Sequence, residues 1–458
     1  MIYLLIFIFI LFIIFIIHKE DIKIIFIFIS EIFFPSSKKE RLLILLNKIS
    51  KIPVYKNKIY NISDVNIDNC EEKLKSIVPI TKKELCRDIE NSISGYEIKT
   101  EIKTDEIFKH LKSVYSHYYV KNDNKYVVIT SSGTTGEMGI FINDWDSWIR
   151  TQAILFINIF YDNIYLFIPK IKITMLFVLT IDGHFMSRKI AVPPLTMFFI
   201  NVVVLSMFDP CLTDKINKLK PDILHSYPTL LDEILPDIDI NPIIITTGSE
   251  HLSDTLRCKL QEKFENTKII ETYGTSECVF MASSCKYNKL HLSDKCIIEL
   301  VDEHNNIITD DDISSDHILV TNLVNTFQPL VRYKLNDSLQ YTHCMCSSKS
   351  KAIIVDGRVD DFMYFIDIFG KKHKHSPISI ETIFIRIPER FIYQIVHYKQ
   401  NCLNIFISAD NFNDVKELVK NSMDDYIDNF FLNITYSIYE QTIERNKNGK
   451  IKQIISLI

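Results

Sequence analysis

The chain has 458 residues, of which 47% are hydrophobic and 24% are charged, and its formal net charge is -5. This length exceeds what one hydrophobic core usually organises, so we expect two or more domains. The weakly acidic charge balance offers no basic field for a polyanion, which argues against a nucleic-acid partner. Ten cysteines spread over so long a chain indicate thiols or metal ligands in a reducing compartment, and not a disulfide framework.

Two apolar runs form the N-terminus. Residues 1–17 contain no charged side chain, whereas residues 24–34 are interrupted by Glu31. A run of about 17 residues is at the lower limit for a helix that crosses a bilayer. Basic residues separate or follow the runs, among them Lys23, Lys38, Lys39 and Arg41. By the positive-inside rule we predict a membrane anchor in residues 1–37, with the remaining chain facing the cytoplasm. The second run is interpreted as an interfacial helix or a half-hairpin, and the alternative for the N-terminus is a helix buried in the protein's own core.

Short apolar runs alternate with helical stretches farther along the chain. The runs typical of buried strands are residues 126–129, 164–168, 202–205 and 242–247, and a helical pattern covers residues 230–235. Continuous apolar strands belong to sheets that are covered on both faces. We therefore predict an α/β fold: a large domain of stacked sheet subdomains, residues 38–359, followed by a small mobile α+β domain, residues 360–458.

A loop rich in glycine and hydroxyl side chains follows the first of these strands. Its members after Thr130 are Ser131, Ser132, Gly133, Thr134, Thr135 and Gly136. Glycine lets consecutive backbone N–H groups turn toward an anion, and Ser or Thr hydroxyls add donors for a pyrophosphate. The loop lacks the Gly-Lys-Ser/Thr of a Walker sequence. Whether it binds a nucleotide therefore depends on which other motifs accompany it.

Five further motifs follow: Thr-Gly-Ser-Glu at 247–250, Tyr-Gly-Thr-Ser-Glu at 273–277, residues 329–337, Gly-Arg-Val-Asp-Asp at 357–361, and Asn-Gly-Lys at 448–450. With the glycine-rich loop, their order and spacing resemble the adenylate-forming superfamily of acyl-CoA synthetases, peptide-synthetase adenylation domains and luciferases. Residues 321–337 look most like the branch that contains phenylacetate-CoA ligase. The sequence departs from the family pattern at residues 137–139 and at Asn336, which stands where glycine is usual.

The resemblance implies a site for ATP. The glycine-rich loop would hold the β- and γ-phosphates, and Ser249 and Glu250 would lie beside the adenine. Tyr273, followed by Gly274, would stack on the base. Ser276 would contact the α-phosphate.

Charged residues would carry the chemistry, by the same resemblance. Asp337 would accept hydrogen bonds from the ribose hydroxyls, and Glu277 would hold the Mg²⁺ that bridges phosphate oxygens, a role that suits a carboxylate. Arg358 would bind ribose or phosphate. Lys450 would place a positive charge beside the substrate carboxylate and the α-phosphate during adenylation. Asp360 would be the hinge of the small domain.

Cysteine and histidine residues form a second pattern. Its members are Cys285, His291, Cys344 and Cys346, with His343 as a spare candidate. Three thiolates and one imidazole match a closed four-ligand Zn²⁺ site, which would stabilise the fold and take no part in catalysis. The alternative is three unconnected core cysteines and a surface histidine.

Two segments fall where the resembling enzymes build the walls around the acyl group. They are residues 183–185, which include His184, and residues 225–228. An apolar lining there would suit an aromatic or fatty acid. His184 is equally interpreted as a core histidine.

The resemblance implies an AMP-forming ligase of the phenylacetate-CoA ligase type. ATP and a small-molecule carboxylic acid would give an acyl-adenylate and pyrophosphate, and the acyl group would pass to coenzyme A. Two alternatives stay open: a nucleotidyltransferase that transfers AMP to another acceptor, and a non-catalytic, membrane-tethered protein that binds a nucleotide or an acyl ligand. No oligomeric state follows from the sequence.

Overall fold

A computed structural model describes residues 19–59, 64–87, 89–93, 102–112, 118–131, 138–167, 170, 172–181, 183–190, 200–377, 380, 383–384, 387, 389, 391–446 and 451–458. The described helices are Lys19–Phe33 (α1), Lys38–Ile49 (α2), Cys70–Lys75 (α3), Lys82–Cys86 (α4), Thr104–Lys112 (α5), Trp145–Phe160 (α6), Met186–Ile190 (α7), Leu212–Leu219 (α8), Pro228–Ile234 (α9), Asp254–Lys263 (α10) and Phe412–Asn429 (α11). Shorter 3₁₀ helices cover Pro53–Tyr55, Ile89–Ser92, Tyr161–Phe167, Leu235–Asp237 and Val359–Asp361.

The described strands follow in chain order. They are Tyr119–Lys121 (β1), Asn124–Thr130 (β2), Ile140–Asp144 (β3), Ile173–Leu179 (β4), Ile200–Ser206 (β5), Ile223–Ser226 (β6), Ile244–Gly248 (β7), Lys268–Tyr273 (β8), Ala282–Ser284 (β9), Leu290–Leu292 (β10), Cys296–Val301 (β11), His317–Asn322 (β12), Tyr333–Leu335 (β13), Asp337–Thr342 (β14), Ala352–Arg358 (β15), Met363–Ile366 (β16), Lys372–His375 (β17), Ile392–Lys399 (β18), Cys402–Ser408 (β19), Thr435–Glu440 (β20) and Ile454–Ser456 (β21).

A nine-stranded sheet forms the centre of the molecule. Its strand order is β14-β15-β10-β9-β8-β7-β6-β4-β5; the strands from β8 to β5 pair in parallel and the others pair antiparallel. Side chains of β4, β6 and β7 share one core with α8, α9 and α10. A strand covered in this way favours apolar side chains on both faces, as in β4. Smaller sheets, β1-β2-β3 and β11-β12-β13, complete this part of the chain. The predicted α/β fold with several sheets is confirmed.

One predicted strand is wrong. Residues 161–167 form a 3₁₀ helix that continues α6, where the run at 164–168 predicts a strand. The side-chain amide of Asn163 donates to the Ile159 carbonyl at 2.7 Å, a contact four residues back along the helical chain. A short apolar run does not distinguish a buried strand from a buried helical turn, so the error comes from the pattern itself.

Residues after Asp361 have a core of their own. The sheet β20-β19-β18-β21 is covered by α11, whose Val415, Val419 and Met423 are buried. Met363 and other residues of the hairpin β16–β17 join the same core. The bounds and the mobility of a small domain at residues 360–458 stay a prediction.

The N-terminal helix α1 packs on the protein itself. Ile24, Ile27 and Phe28 are buried in a cluster with α6, and the Phe28 and Phe156 rings meet edge to face with centroids 5.9 Å apart. The positions 24, 27, 28 and 31 lie on one face of a helix. One face of this second apolar run therefore packs on α6, whereas Phe26 on the same helix is 71% exposed. The interpretation of the run as an interfacial helix or a half-hairpin stays a prediction.

Glu31, the charged residue that interrupts the apolar run, adds two ion pairs to the packing of α1. Its carboxylate accepts from Arg41 Nη2 at 2.6 Å and from Arg150 Nη1 at 2.7 Å, and only 1% of its side chain is exposed. A buried carboxylate requires such partners, so these ion pairs hold α1 in one position against α2 and α6.

The predicted membrane anchor has no support in the described structure. Residues 1–17, which carry the first apolar run, lie outside the described residues. None of the described helices is long and apolar enough to cross a bilayer.

Candidate functional site

A cleft of about 790 Å³ lies at the carboxyl ends of β7 and β8. Neighbouring parallel strands end at the same edge of a sheet, so the residues that follow these two strands are brought together. The cleft is lined by residues of five of the six motifs: Ser131, Ser249, Glu250, Tyr273, Gly274, Ser276, Glu277, Asp337 and Arg358. The fold thus assembles side chains from distant parts of the chain into one site.

Asp337 lies between a tyrosine and an arginine. Antiparallel pairing of β14 with β15 places Asp337 opposite Arg358, and Arg358 Nη1 lies 3.4 Å from Asp337 Oδ1. The Tyr273 hydroxyl donates to Asp337 Oδ2 at 2.6 Å. Burial, and next the carboxylate of Asp337, raise the pKa of Tyr273, so its hydroxyl stays protonated and acts as a donor. A carboxylate held in this way is suited to accept hydrogen bonds from the hydroxyls of a sugar.

Glu277 is 8% exposed and borders the same cleft. The Tyr333 hydroxyl donates to Glu277 Oε1 at 3.3 Å, and Asn322 Nδ2 donates to the Glu277 backbone carbonyl at 3.1 Å. Burial is the main cause that raises the pKa of Glu277. Carboxylate oxygen is the protein ligand that Mg²⁺ prefers, so the donor chemistry fits a magnesium ion held jointly with phosphate oxygens.

Two hydrogen bonds join the residues at the two ends of the glycine-rich loop. The backbone N–H of Gly139 donates to Ser131 Oγ at 2.8 Å, and the Ser131 N–H donates to the Gly139 carbonyl at 3.0 Å. A Cβ at position 139 would lie 2.7 Å from Ser131 Oγ, so a larger residue there would displace the Ser131 side chain from this contact. Ser276 Oγ donates to the Thr130 carbonyl at 3.3 Å and joins the loop to the end of β8. The remaining loop residues lie outside the described part of the chain: Ser132, Gly133, Thr134, Thr135 and Gly136.

Ser249 and Glu250 follow β7 directly. Ser249 has a φ of 69°, which turns the chain sharply at the end of the strand. Glu250 Oε2 accepts from the Thr229 N–H at 3.1 Å and from the Thr229 hydroxyl at 2.8 Å, in the first turn of α9. Its other oxygen, Oε1, is buried and has no hydrogen-bond partner among the described residues. Glu250 is thus fixed by α9 and has one acceptor left for an N–H group of a ligand.

Lys450 lies outside the described residues, but the chain on both sides of it is anchored. Arg445 Nη1 donates to the Thr229 hydroxyl at 3.0 Å, on α9. Lys452 Nζ lies 2.8 Å from Asp361 Oδ1, and Asp361 borders the cleft. The C-terminal segment is therefore attached on both sides of Lys450, once to α9 and once to the edge of the cleft.

Two lysines outside every motif also line the cleft. Lys82 and Lys83 begin α4, whose N-terminus is fixed by reciprocal hydrogen bonds between Thr81 and Glu84. The charge of Lys82 favours the ionised form of Glu277 and so opposes the larger effect of burial. The spacing of Thr81 and Glu84 predicts a helix start, but no sequence signal places this helix beside β8.

The four predicted zinc ligands come together in space. Their ligand atoms lie within 4.8 Å of one another; Cys285 Sγ is 3.5 Å from Cys344 Sγ, and Cys346 Sγ is 3.1 Å from His291 Nε2. His291 Nδ1 donates to the Ser350 carbonyl at 2.9 Å, which leaves Nε2 to bind a metal. Burial opposes ionisation of the Cys285 thiol, but hydrogen bonds from backbone N–H groups and from its neighbours outweigh it and lower the pKa of Cys285 to about 7. This donor set fits Zn²⁺, although a bound zinc ion stays a prediction.

The two segments predicted to contact the acyl group have different surroundings. Phe185 and Tyr227 line the cleft, and His225 lines a second, smaller cavity beside it. His184 is not among the residues that line either space. Its buried ring packs against His110 with centroids 5.0 Å apart, so the interpretation of His184 as a core histidine is confirmed.

Comparison with known proteins identifies the fold. No protein-family model matches the chain. The chain is 25% identical to Protein CapK of Staphylococcus aureus over 224 residues, which are 44% of this chain; the chain thus spans only 46% of the length of this curated relative.

Two groups of solved structures are similar over most of the chain. A 2-hydroxyisobutyryl-CoA ligase in the postadenylation state, in complex with R3-HIB-AMP, has a TM-score of 0.65 at 13% identity and covers 92% of this chain and 88% of its own. ATP-bound MatB from Rhodopseudomonas palustris has a TM-score of 0.54 at 14% identity, and the alignment covers 71% of this chain and 66% of MatB. The chain therefore has the fold of the adenylate-forming superfamily, as the six sequence motifs predict.

Proposed function

We propose that this chain activates a carboxylic acid with ATP to give an acyl-adenylate and pyrophosphate, and then transfers the acyl group to coenzyme A. The observation that carries the proposal is the meeting of Tyr273, Glu277, Asp337 and Arg358 in one cleft. A buried acceptor for sugar hydroxyls and a buried carboxylate for magnesium are two groups that suit a bound nucleoside triphosphate. The coenzyme A step rests on the sequence resemblance. So does the assignment to the branch that contains phenylacetate-CoA ligase, which does not specify the acid.

Each residue has a distinct task in the proposed reaction. Asp337 fixes the ribose, and Glu277 holds magnesium, which neutralises phosphate charge when it is bound. Ser276 and the glycine-rich loop orient the phosphates so that a carboxylate oxygen of the acid attacks the α-phosphorus and pyrophosphate leaves. Lys450 stabilises the negative charge that develops at this phosphorus. Positioning and electrostatic stabilisation thus supply the catalysis.

Trapping with hydroxylamine tests the proposal. The protein is incubated with ATP, Mg²⁺, hydroxylamine and panels of short-chain, long-chain and aryl acids, and the acyl hydroxamate is measured. We expect hydroxamate to form with one class of acid and not when the acid is omitted. AMP found on another acceptor without hydroxamate would favour a nucleotidyltransferase, and ATP binding without either product would favour a binding protein.

We also propose that Cys285, His291, Cys344 and Cys346 hold one structural Zn²⁺. Protein purified from zinc-supplemented cells should contain about one zinc ion per chain by elemental analysis. Strong chelators should lower Tm by about 5 °C or more, because a site of this kind contributes directly to folding.

Matched cysteine variants give the control for zinc binding. Cys344→Ser should lose the metal, whereas Cys211→Ser, at an exposed cysteine outside the cluster, should keep it. A parent protein without zinc, or a Cys344→Ser variant with full zinc content, would contradict this assignment.

We infer from the sequence alone that residues 1–17 attach the chain to a membrane, with the catalytic part on the cytoplasmic side. The full chain should sediment with membranes and resist extraction by sodium carbonate, because an apolar run of this length partitions into lipid. A variant that lacks residues 1–17 should remain in the supernatant. Equal partitioning of the two proteins would exclude an anchor in this segment.

A further inference from the structure

A second cavity of about 110 Å³ lies beside the cleft and has an apolar lining. Its apolar walls include Leu155, Phe156, Ile159, Phe177, Ile200 and Val202. None of the described residues that line it carries a charge. Burial lowers the pKa of His225, its one imidazole, to about 4, so this ring is neutral at physiological pH. The cavity therefore matches an uncharged, apolar group.

This apolar cavity adjoins the proposed adenylation site. Met186, Ser187, Ser249, Thr272 and Gly274 line both spaces. A group in the cavity can therefore be attached to an atom that reacts in the cleft. An acid bound with its carboxylate in the cleft would place its remaining atoms in the apolar cavity.

The size of the cavity limits what it accepts. An engineered apolar cavity of about 150 Å³ binds benzene, and the cavity here is smaller, at about 110 Å³. An alkyl group smaller than a benzene ring fits this space. A phenyl group or a long fatty chain requires the walls to move.

One of these walls comes from α1, the N-terminal helix. Phe28 is 6% exposed and lines the apolar cavity but not the cleft. Its ring is held edge to face against Phe156 of α6, at 5.9 Å between centroids. One turn farther along α1, the buried carboxylate of Glu31 forms ion pairs with Arg41 and Arg150, so the position of Phe28 is fixed by the fold. The helix that precedes the predicted large domain thus closes part of the apolar cavity.

We propose that α1 is part of the acyl-binding site and that Phe28 sets the upper size of the acyl group. The preferred substrates are then carboxylic acids with an uncharged alkyl group smaller than a benzene ring. This inference rests on the proposed function, because it assigns the substrate class of the same site. Phe28 acts by excluding larger groups and takes no part in the chemistry.

The test compares ATP–pyrophosphate exchange with butyrate, octanoate and phenylacetate in the full chain. The parent should prefer butyrate. Phe28→Ala should raise the ratio of kcat/KM for octanoate to kcat/KM for butyrate by about tenfold or more, because a few methylene groups in an apolar pocket change specificity by this amount. Phe28→Trp should lower the ratio.

Phe26→Ala is the matched control. Phe26 is 71% exposed on the same helix, and its removal should leave the ratio within about twofold of the parent, since it does not line the cavity. Phe28→Leu keeps an apolar side chain against Phe156 and should shift the ratio in the same direction as Phe28→Ala, so the test remains decisive if the alanine variant does not fold.

The outcomes separate this inference from the proposed function. Exchange by the parent with an unchanged ratio in the folded Phe28 variants would overturn the role of α1 alone. A parent that prefers octanoate or phenylacetate would overturn the size limit. No exchange with any acid would overturn the proposed function, and this inference with it.

Discussion

Replacement of Glu277 by Gln is expected to lower acid-dependent ATP–pyrophosphate exchange by about 100-fold or more. Glutamine has the size of glutamate and keeps an oxygen for the Tyr333 hydroxyl, so the local structure should persist. The substitution removes the negative charge that is proposed to hold magnesium. Exchange rates measured over a range of Mg²⁺ concentrations check this, and added magnesium should restore only part of the loss.

An exposed glutamate provides the matched control for this substitution. Glu303 has 77% of its side chain exposed, and Glu303→Gln should exchange at the parent rate. The unfolding temperatures of both variants should lie close to that of the parent. A Glu277→Gln protein with the parent's rate and magnesium dependence would remove Glu277 from the proposed mechanism.

Asp337→Asn should weaken ATP binding by about 10- to 100-fold. Hydrogen bonds to a charged group contribute about 1.5–3 kcal/mol, and each 1.4 kcal/mol is a factor of ten in affinity. The asparagine oxygen can still accept from the Tyr273 hydroxyl, but Arg358 loses the carboxylate that lies 3.4 Å from it. Titration calorimetry with ATP and Mg²⁺ measures the loss directly.

The control for Asp337 is Asp294→Asn. Asp294 has 61% of its side chain exposed, and its substitution should leave ATP affinity unchanged. Asp337→Asn should also raise the KM for ATP more than the KM for the acid, because the carboxylate is proposed to face the ribose. Parent affinity for ATP in the folded Asp337→Asn protein would place the nucleotide elsewhere.

The sequence predicted two strands of the nine-stranded sheet from short apolar runs. Residues 242–247 fall largely within β7, a buried strand inside the sheet, and residues 202–205 fall within β5, its half-buried edge strand. The same criterion failed at residues 164–168, where a short apolar run continues a helix. The buried face of α1 was not predicted. Glu31 was interpreted only as an interruption of the apolar run, but it lies with positions 24, 27 and 28 on one buried helical face.

The residues of the site that lie in sequence motifs could be predicted. The residues that reach the site only through long-range packing could not. Tyr273, Glu277 and Asp337 were found from their order along the chain, and the structure places all three at one cleft. Lys82 carries no sequence signal for this cleft, because the position of α4 depends on long-range packing. The same holds for Phe28, whose contact with the apolar cavity follows from the docking of α1 on α6.

Acid-dependent ATP–pyrophosphate exchange tests the proposed adenylation most directly. The full chain is incubated with ATP, Mg²⁺, labelled pyrophosphate and one acid at a time, and the label that enters ATP is measured. We expect exchange that requires an acid, is highest for acids with small alkyl groups, and falls by about 100-fold or more in Glu277→Gln. Absence of exchange with every acid, in folded protein that binds ATP, would contradict adenylation of a carboxylic acid.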